Sequence, residues 1–224
     1  MTLRDLGREF VETLNKVLNG TVTDGIRLNY IGDRSGALGY VGYGINREDL
    51  IGRPMPLGIG RGVPRCWLRI TQSVTLDDGE ARYLKTVRAS VAVLSSEAGE
   101  DENQLLRYDF DRNQEGGYPT AHLHVFGESV ALDRLNDALG RERALFKLHY
   151  PVGGVRFRPC LEDVIEFLIY EGFVEPRPGW EQVLDEGRQK FHAIQLKAAV
   201  RHRPELAAEQ LSEMGWTVEP PAED

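Results

Sequence analysis

Two histidines, His122 and His124, stand one residue apart in a short alternating stretch, residues 121–126. In an extended strand, residues i and i+2 point to the same face, so the two imidazoles would lie side by side. Imidazoles exchange protons near neutral pH and are common ligands of transition metals. The pair therefore indicates proton transfer or metal binding on one face of a strand.

Three arginines and one aspartate have matching positions on the neighbouring predicted strands. If the apolar residues of each strand face a core, then Arg69, Arg88, Arg107 and Asp109 share the polar face with the histidines. Guanidinium groups bind phosphate through paired hydrogen bonds, and imidazoles can transfer protons at a scissile phosphodiester. We therefore predict catalytic roles for the two histidines, Asp109 and Arg107, and phosphate binding for Arg69 and Arg88.

The same polar face has other interpretations. It fits a solvated surface with cross-strand charge pairs, or a surface covered by C-terminal helices with its polar groups satisfied internally. It also fits a metal site, in which the third ligand would be Asp109, Glu128 or His149. With either carboxylate, the ligand set would suit iron or manganese. His-x-His alone is weakly specific, so the preferred interpretation uses no metal and no cofactor.

A basic stripe follows the long predicted helix near the C-terminus. Lys190, Lys197 and Arg201 recur at intervals of seven and four residues. Such a stripe can follow a phosphate backbone, although it is also typical of the solvated face of an amphipathic helix. We include the three residues as candidate phosphate-binding groups.

The elements that must position these residues indicate an α+β fold. Apolar spacing predicts an N-terminal helix, and a glycine-rich region with two short strands and a long loop follows it. An antiparallel meander of four strands comes next, and the C-terminal half is helical. The meander strands are predicted at 66–76, 83–94, 105–110 and 121–126, with a turn at Asp77-Asp78-Gly79-Glu80.

The C-terminal half contains four predicted helices and one small hairpin. The hairpin is predicted to pair residues 144–149 with 153–158. The helices are predicted at 129–139, 159–171, 180–200 and 205–214. We expect a helix-plus-sheet domain at 1–128, a helical region packed on it at 129–216, and an acidic tail at 217–224.

Eleven glycines fall between residues 20 and 62, where a phosphate-binding loop and a set of tight turns compete as explanations. No G-x-x-x-x-G-K-[ST] is present, and Gly58-Ile-Gly60-Arg-Gly62 lacks the dinucleotide-binding spacing. No G-x-S-x-G motif is present either, which disfavours acyl transfer by a serine nucleophile. The glycines are therefore assigned to turns.

Composition limits the classes of protein and partner. The chain has 224 residues, 41% of them hydrophobic, and a net charge of −8. That charge disfavours a broad basic surface for nucleic acid. The first 70 residues are nevertheless net positive, so a local basic face is possible. Two widely spaced cysteines, Cys66 and Cys160, and the lack of a long apolar run predict a cytoplasmic protein without a membrane partner.

One part of the chain, about residues 66–128, resembles the β-domain of TumE-like toxins, a toxin–antitoxin family. The resemblance is carried by the Asp77-Asp78-Gly79 turn, Leu106-Arg-Tyr-Asp109 and Tyr118-Pro-Thr-Ala-His122-Leu-His124. It implies a prokaryotic intracellular protein that is encoded beside a small DNA-binding antitoxin. The residues that it carries over are Arg107, Tyr108, Asp109, His122 and His124. The C-terminal half has no counterpart in that family.

Taken together, these features predict a defence or toxin–antitoxin protein that binds or cleaves RNA or DNA through the Arg/His face. The enzyme would be a metal-independent ribonuclease. The alternatives are metal binding by His122 and His124, and a non-catalytic interaction module. In the latter, Trp180, Phe191 and Trp216 would anchor a partner protein.

Overall fold

The computed structural model of the chain describes residues 1–60, 62–77 and 83–219, whose strands form one antiparallel sheet. The sheet order is β1-β2-β4-β5-β6-β7-β8, and β3 pairs with β4 beside this path. The strands are β1 (Leu28–Gly32), β2 (Gly39–Tyr43), β3 (Met55–Leu57), β4 (Cys66–Leu76), β5 (Leu84–Leu94), β6 (Gln104–Asp111), β7 (Ala121–Val125) and β8 (Tyr150–Pro151).

The α+β fold class is confirmed, and all the helices given below except α3 correspond to predicted ones. They are α1 (Leu3–Thr21), α2 (Val130–Leu139), α3 (Gly154–Phe157), α4 (Leu161–Tyr170), α5 (Trp180–His202) and α6 (Pro204–Glu213). Helix α1 begins with a capping box, in which the side chains of Thr2 and Asp5 bond to each other's backbone N–H groups. No helix within the described residues has the length and apolar character needed to cross a membrane.

The hydrophobic core lies between one face of the sheet and helices α1, α4 and α5. Leu68 and Ile70 of β4 belong to the same core cluster as Ile165 of α4 and Leu184 of α5, and all four are at most 1% exposed. The core-facing residues of the next strands, including Tyr108, alternate with polar residues. Since alternate residues of a strand point to opposite faces, the polar residues lie on the side of the sheet away from these helices.

The predicted meander is confirmed. Strands β4, β5, β6 and β7 are consecutive neighbours, and β4 and β5 form a hairpin with arms of eleven residues each. Its register shifts between Ser73 and Val74, where a bulge interrupts the pairing. The predicted turn residues from Asp78 to Glu80 lie outside the described residues, as does the tail from residue 220 onward.

The small hairpin predicted at 144–149 and 153–158 is wrong. Residues 145–147 form a short 3-10 helix, β8 pairs with β7, and α3 begins at Gly154. Gly153 and Gly154 have φ angles of 77° and 66°, in the left-handed region that glycine adopts without strain. The chain therefore turns into α3 instead of extending into a second arm. This arrangement brings His149, which directly precedes β8, alongside β7.

The glycine-rich region contains one strand more than predicted. Strand β3, Met55–Leu57, pairs with the first residues of β4 within the stretch assigned to a loop. Met55 and Leu57 are buried and Pro56 lies between them, so the strand is too short for its alternation to be recognised in the sequence. Met55 and Leu57 belong to the hydrophobic core on the helix side of the sheet.

Candidate metal centre

Strand register assembles the predicted polar face from four strands. Directly paired residues of an antiparallel sheet share a face, so each row of partners stands on one side. Two such rows cross the meander next to each other. The first row is Arg69, Ala92, Arg107 and His124, and the second is Thr71, Ser90, Asp109 and His122. Tyr108, which the resemblance also implied, lies on the opposite face and packs against the core.

The two histidines of β7 are buried and fixed in orientation by backbone carbonyl groups. His122 and His124 are 4% and 5% exposed. Nδ1 of His122 lies 2.7 Å from the carbonyl oxygen of Pro119, and Nδ1 of His124 lies 2.7 Å from that of Phe146. A carbonyl oxygen only accepts hydrogen bonds, so each Nδ1 carries the proton and donates it. In the neutral imidazoles, the lone pair then resides on Nε2.

Both Nε2 atoms point toward the carboxylate of Asp109. Oδ2 of Asp109 is 3.3 Å from Nε2 of His124 and 4.0 Å from Nε2 of His122. The same carboxylate accepts a hydrogen bond of 2.8 Å from Nε of Arg107 and one of 2.7 Å from the Ser90 hydroxyl. Burial by itself would raise the pKa of Asp109, but its interactions with His124, Arg107 and Ser90 outweigh burial and lower it. Asp109 is therefore an anion at neutral pH.

His149 is the third imidazole of the cluster. Its ring centroid lies 4.8 Å from that of His122 and 4.9 Å from that of His124, and it stacks on Tyr118 at 4.4 Å. One ring nitrogen from each of the three histidines lies within 4.8 Å of the others. Of the three residues predicted as a possible third ligand, His149 joins this group, Asp109 borders it, and Glu128 is not part of it.

Burial lowers the pKa of both His122 and His149 and so favours their neutral forms. Neutral imidazole is the form that coordinates a metal ion, whereas a protonated ring cannot bind one. The arrangement therefore brings together three imidazole nitrogens and a carboxylate anion, with the Nε2 atoms of His122 and His124 directed at Asp109.

The site is covered by short segments of chain, not by the C-terminal helices. Phe146, whose carbonyl holds His124, stacks on Phe126 at 5.4 Å, and Tyr118 covers His149 from the other side. Tyr118 is 37% exposed, so the cover is one side chain deep at that point. Of the C-terminal helices, α4 and α5 pack on the opposite face of the sheet.

The predicted phosphate-binding arginines have different surroundings. Arg69 is partly buried and donates from Nη1 to the carbonyl oxygen of Gly99 at 3.1 Å. The Arg88 side chain is 71% exposed and its Nε is 3.0 Å from Asp111. Arg107 bonds to Asp109 and lies over the ring of Phe126 at 5.9 Å. Arg107 therefore borders the cluster, Arg69 stands at the opposite end of the row from His124, and Arg88 is an exposed member of an ion pair.

The basic stripe is not brought to this face. Helix α5 packs through Leu184 on the core side of the sheet, so Lys190, Lys197 and Arg201 lie on the other side from the histidines. Both lysines are exposed, and Arg201 lies over the ring of Tyr83 at 4.1 Å. The spacing of these residues along the helix could not predict which face of the sheet the helix would cover.

The proposed aromatic anchors of a partner protein also differ from one another. Trp180 packs against the core and meets Tyr170 edge to face at 5.8 Å. Phe191 lies below the guanidinium group of Arg158 at 5.6 Å, and Trp216 is 65% exposed. The three side chains therefore do not all point outward as a common docking surface would require.

Comparison with known proteins provides no independent assignment. No protein-family model matches the chain, and no significant match is found among curated proteins or solved structures.

Proposed function

We propose that the chain binds one divalent transition-metal ion through His122, His124 and His149. The observation that carries this proposal is the direction of the ring nitrogens. His122 and His124 donate their Nδ1 protons to the carbonyl groups of Pro119 and Phe146, and their Nε2 atoms face Asp109 Oδ2. Neutral rings in this orientation would place lone pairs opposite a carboxylate, and a cation bound by the rings would compensate that repulsion.

The carbonyl groups that accept hydrogen bonds from Nδ1 of His122 and His124 are the kind of partner expected around a metal site. A metal-binding histidine nearly always donates its second ring N–H to a carbonyl or carboxylate group, which fixes the ring orientation. Here both carbonyl acceptors come from segments next to β7 in space, at residues 119 and 146. The rings are therefore held in position by the protein fold before any ion binds.

Zinc is the ion that this ligand set favours. Three histidine nitrogens and one open position are typical of catalytic zinc sites, with Zn–N distances of about 2.0–2.1 Å. Asp109 already accepts hydrogen bonds from Ser90 and Arg107, so it fits the role of a partner next to the ion better than that of a ligand. This differs from the two-histidine, one-carboxylate set that would have suited iron or manganese.

A metal ion held by three histidines supports hydrolysis. It lowers the pKa of a bound water molecule to about 7, which supplies hydroxide at neutral pH. Asp109 Oδ2, which is 3.3 Å from His124 Nε2, would be the neighbouring carboxylate that accepts a proton from such a water. We therefore propose a metal-dependent hydrolytic centre on the polar face of the sheet.

Titration of the metal-free protein with Co²⁺ tests the binding proposal directly, because nitrogen-bound cobalt has visible absorption bands. We expect one equivalent to bind to the full chain, and EDTA to remove it. His124→Ala and His149→Ala should each lose most of the absorption. His192→Ala, which removes an exposed histidine on α5, is the matched control and should retain it. Absorption that is unchanged in the two site variants would contradict the proposal.

A metal-free acid–base site is the second candidate, and one distance favours it. If His124 were protonated, its Nε2 proton would point toward Asp109 Oδ2 at 3.3 Å, so that one imidazolium could act as an acid beside neutral His122. This is the metal-independent ribonuclease predicted from the sequence. RNA cleavage that persists in EDTA and is lost in the double variant His122→Ala/His124→Ala would favour it over the metal centre.

A further inference from the structure

A cavity of about 550 Å³ lies between the first turns of α1 and the end of β1, and three arginines line it. Arg4 and Arg8 come from α1, and Arg47 comes from the loop after β2. Since Arg4 and Arg8 are four residues apart, they project from the same face of the helix. Strand β1 is at one edge of the sheet, far from β7 with His122 and His124, so this cavity is separate from the proposed metal centre.

The guanidinium groups in the cavity wall have no partners within residues 1–60, 62–77 and 83–219. All three arginines are exposed, and none forms a side-chain hydrogen bond or an ion pair there. Of the described lining residues, Asp33 alone has a carboxylate, and its Oδ2 accepts a hydrogen bond of 2.6 Å from the Ser35 hydroxyl. Asp5 acts on Arg8 from outside the wall, but its Oδ2 already accepts hydrogen bonds from Thr2. The wall therefore carries three positive charges against one negative charge.

Tyr30 is fixed in the cavity wall by two glycines. A Cβ atom on Gly7 of α1 or on Gly39 of β2 would overlap the ring of Tyr30, so both positions must lack a side chain for the helix and the strand to close on the ring. Burial and, next, the charge of Asp33 raise the pKa of Tyr30, so its hydroxyl keeps its proton at neutral pH. That hydroxyl forms no hydrogen bond with the part of the chain that the structure describes, which leaves it able to donate one to a ligand.

Charge and volume together indicate the class of ligand. An excess of two positive charges matches a phosphate monoester, which carries about two negative charges at neutral pH. Guanidinium groups bind phosphate through paired hydrogen bonds. The cavity volume falls within the range of roughly 300–1,000 Å³ that is typical of small-molecule sites, and a phosphate group alone would fill only part of it. Leu3 and Ile31 provide apolar lining for an organic part of the ligand.

From this arrangement, we propose that the cavity binds a small phosphorylated molecule of about the size of a nucleoside monophosphate. Arg4, Arg8 and Arg47 are its phosphate-binding residues, and the Tyr30 hydroxyl is a further donor. The site is independent of the proposed metal centre, so each proposal can fail without the other.

The test is calorimetric titration of the full chain with adenosine monophosphate. The protein is first freed of metal ions, so that no ion at the histidine cluster binds the phosphate. We expect Arg4→Gln, Arg8→Gln and Arg47→Gln each to weaken binding about tenfold or more, because each loses a charged hydrogen-bond donor. Arg134→Gln is the matched control, since Arg134 is equally exposed but lies on α2, outside the cavity wall, and this variant should bind as the wild-type protein does.

A second variant tests the tyrosine without disturbing the packing of its ring. Tyr30→Phe keeps the ring between Gly7 and Gly39 and removes only the hydroxyl. We expect it to weaken binding about 2–10-fold, as the loss of a neutral hydrogen bond predicts. Melting temperatures close to that of the wild-type protein should show that all the variants are folded. Unchanged affinity in Tyr30→Phe would contradict the role of the hydroxyl.

Three further titrants test the class of ligand. Inorganic phosphate should bind more weakly than adenosine monophosphate, because it lacks an organic part that contacts Leu3 and Ile31. Succinate binding as tight as that of the monophosphate would overturn the assignment of phosphate. Tighter binding of a single-stranded RNA oligonucleotide, lost in the same arginine variants, would overturn the assignment to a small molecule.

Two results would overturn the site itself. One is a dissociation constant for adenosine monophosphate above about 1 mM, which is weaker than most specific sites for small molecules. The other is affinity that falls as much in Arg134→Gln as in the cavity variants, because it would show that the loss reflects the net charge of the chain and not the cavity.

Discussion

His149 is the ligand whose replacement best separates metal binding from folding. It is half-buried, and its ring contacts are with Tyr118, His122 and His124. Replacement by alanine removes one stacked aromatic contact, which costs about 0.5–1.5 kcal/mol. It also relieves the crowding of three imidazoles in the metal-free protein. We therefore expect metal-free His149→Ala to unfold close to the wild-type temperature.

The effect of zinc should differ strongly between the two proteins. A ligand at 100 times its dissociation constant adds about 2.7 kcal/mol to the free energy of unfolding. For a chain of this size, each kcal/mol raises the melting temperature by about 2–4 °C, so the wild-type protein should gain about 5–11 °C. If the loss of one ligand weakens zinc binding about 100-fold, the variant gains about 0.4 kcal/mol at the same zinc concentration, or about 1–2 °C.

Scanning calorimetry in zinc and in EDTA measures both quantities in one experiment. His192→Ala controls for the removal of any imidazole, because His192 is exposed on α5 away from the site. The His192→Ala variant should show the same zinc-induced rise in melting temperature as the wild-type protein. The reasoning would be refuted by an equal zinc-induced gain in wild-type protein and His149→Ala, or by the absence of any gain in the wild-type protein.

Three further predictions address the surroundings of the site and the core. Asp109→Asn keeps the size of the side chain but removes its charge, and zinc affinity measured by chelator competition should fall about 10–100-fold. Ile165→Ala should lower the free energy of unfolding in urea by about 2–5 kcal/mol, since Ile165 is fully buried, while zinc affinity stays unchanged. Burial raises the pKa of Cys66 to about 11, and Cys160 is also buried and has a raised pKa. Both thiols are then protonated at pH 8 in the native protein, so iodoacetamide should modify them only upon unfolding, as followed by mass spectrometry; rapid modification of the native protein would contradict this.

Strand alternation was sufficient to predict most of the sheet and the composition of its polar face. Within β4, Leu68 and Ile70 are apolar and Arg69 lies between them, so the face of each residue follows from the alternation of side chains along the strand. The same reasoning placed Asp109 and His122 on one face, and their direct pairing follows from the register of β6 and β7. Short polar links favoured antiparallel neighbours, which is why the strand order was predictable.

The alternation of side chains along a strand could not predict that His149 joins the cluster. His149 lies in irregular chain between a short 3-10 helix and a strand of only two residues, where no period of two or 3.6 exists. Its position depends on the pairing of β8 with β7 and on the turn at Gly153 and Gly154, which are tertiary features. The sequence could therefore name His149 as one of three candidates but had no basis for choosing it.

The hydrogen bonds that fix the rings of His122 and His124 support the proposed metal site. The rings of His122 and His124 are held by carbonyl groups of Pro119 and Phe146, which belong to the two segments that flank β7 and β8. Each of these hydrogen bonds places a proton on Nδ1 and directs Nε2 toward Asp109. His124 Nε2 lies 3.3 Å from Asp109 Oδ2, so a proton on His124 or a bound cation would compensate the carboxylate charge there. A cation bound by the three rings would also engage His122 Nε2, which at 4.0 Å is too far from Asp109 for a hydrogen bond, and this is the argument for the proposed metal ion.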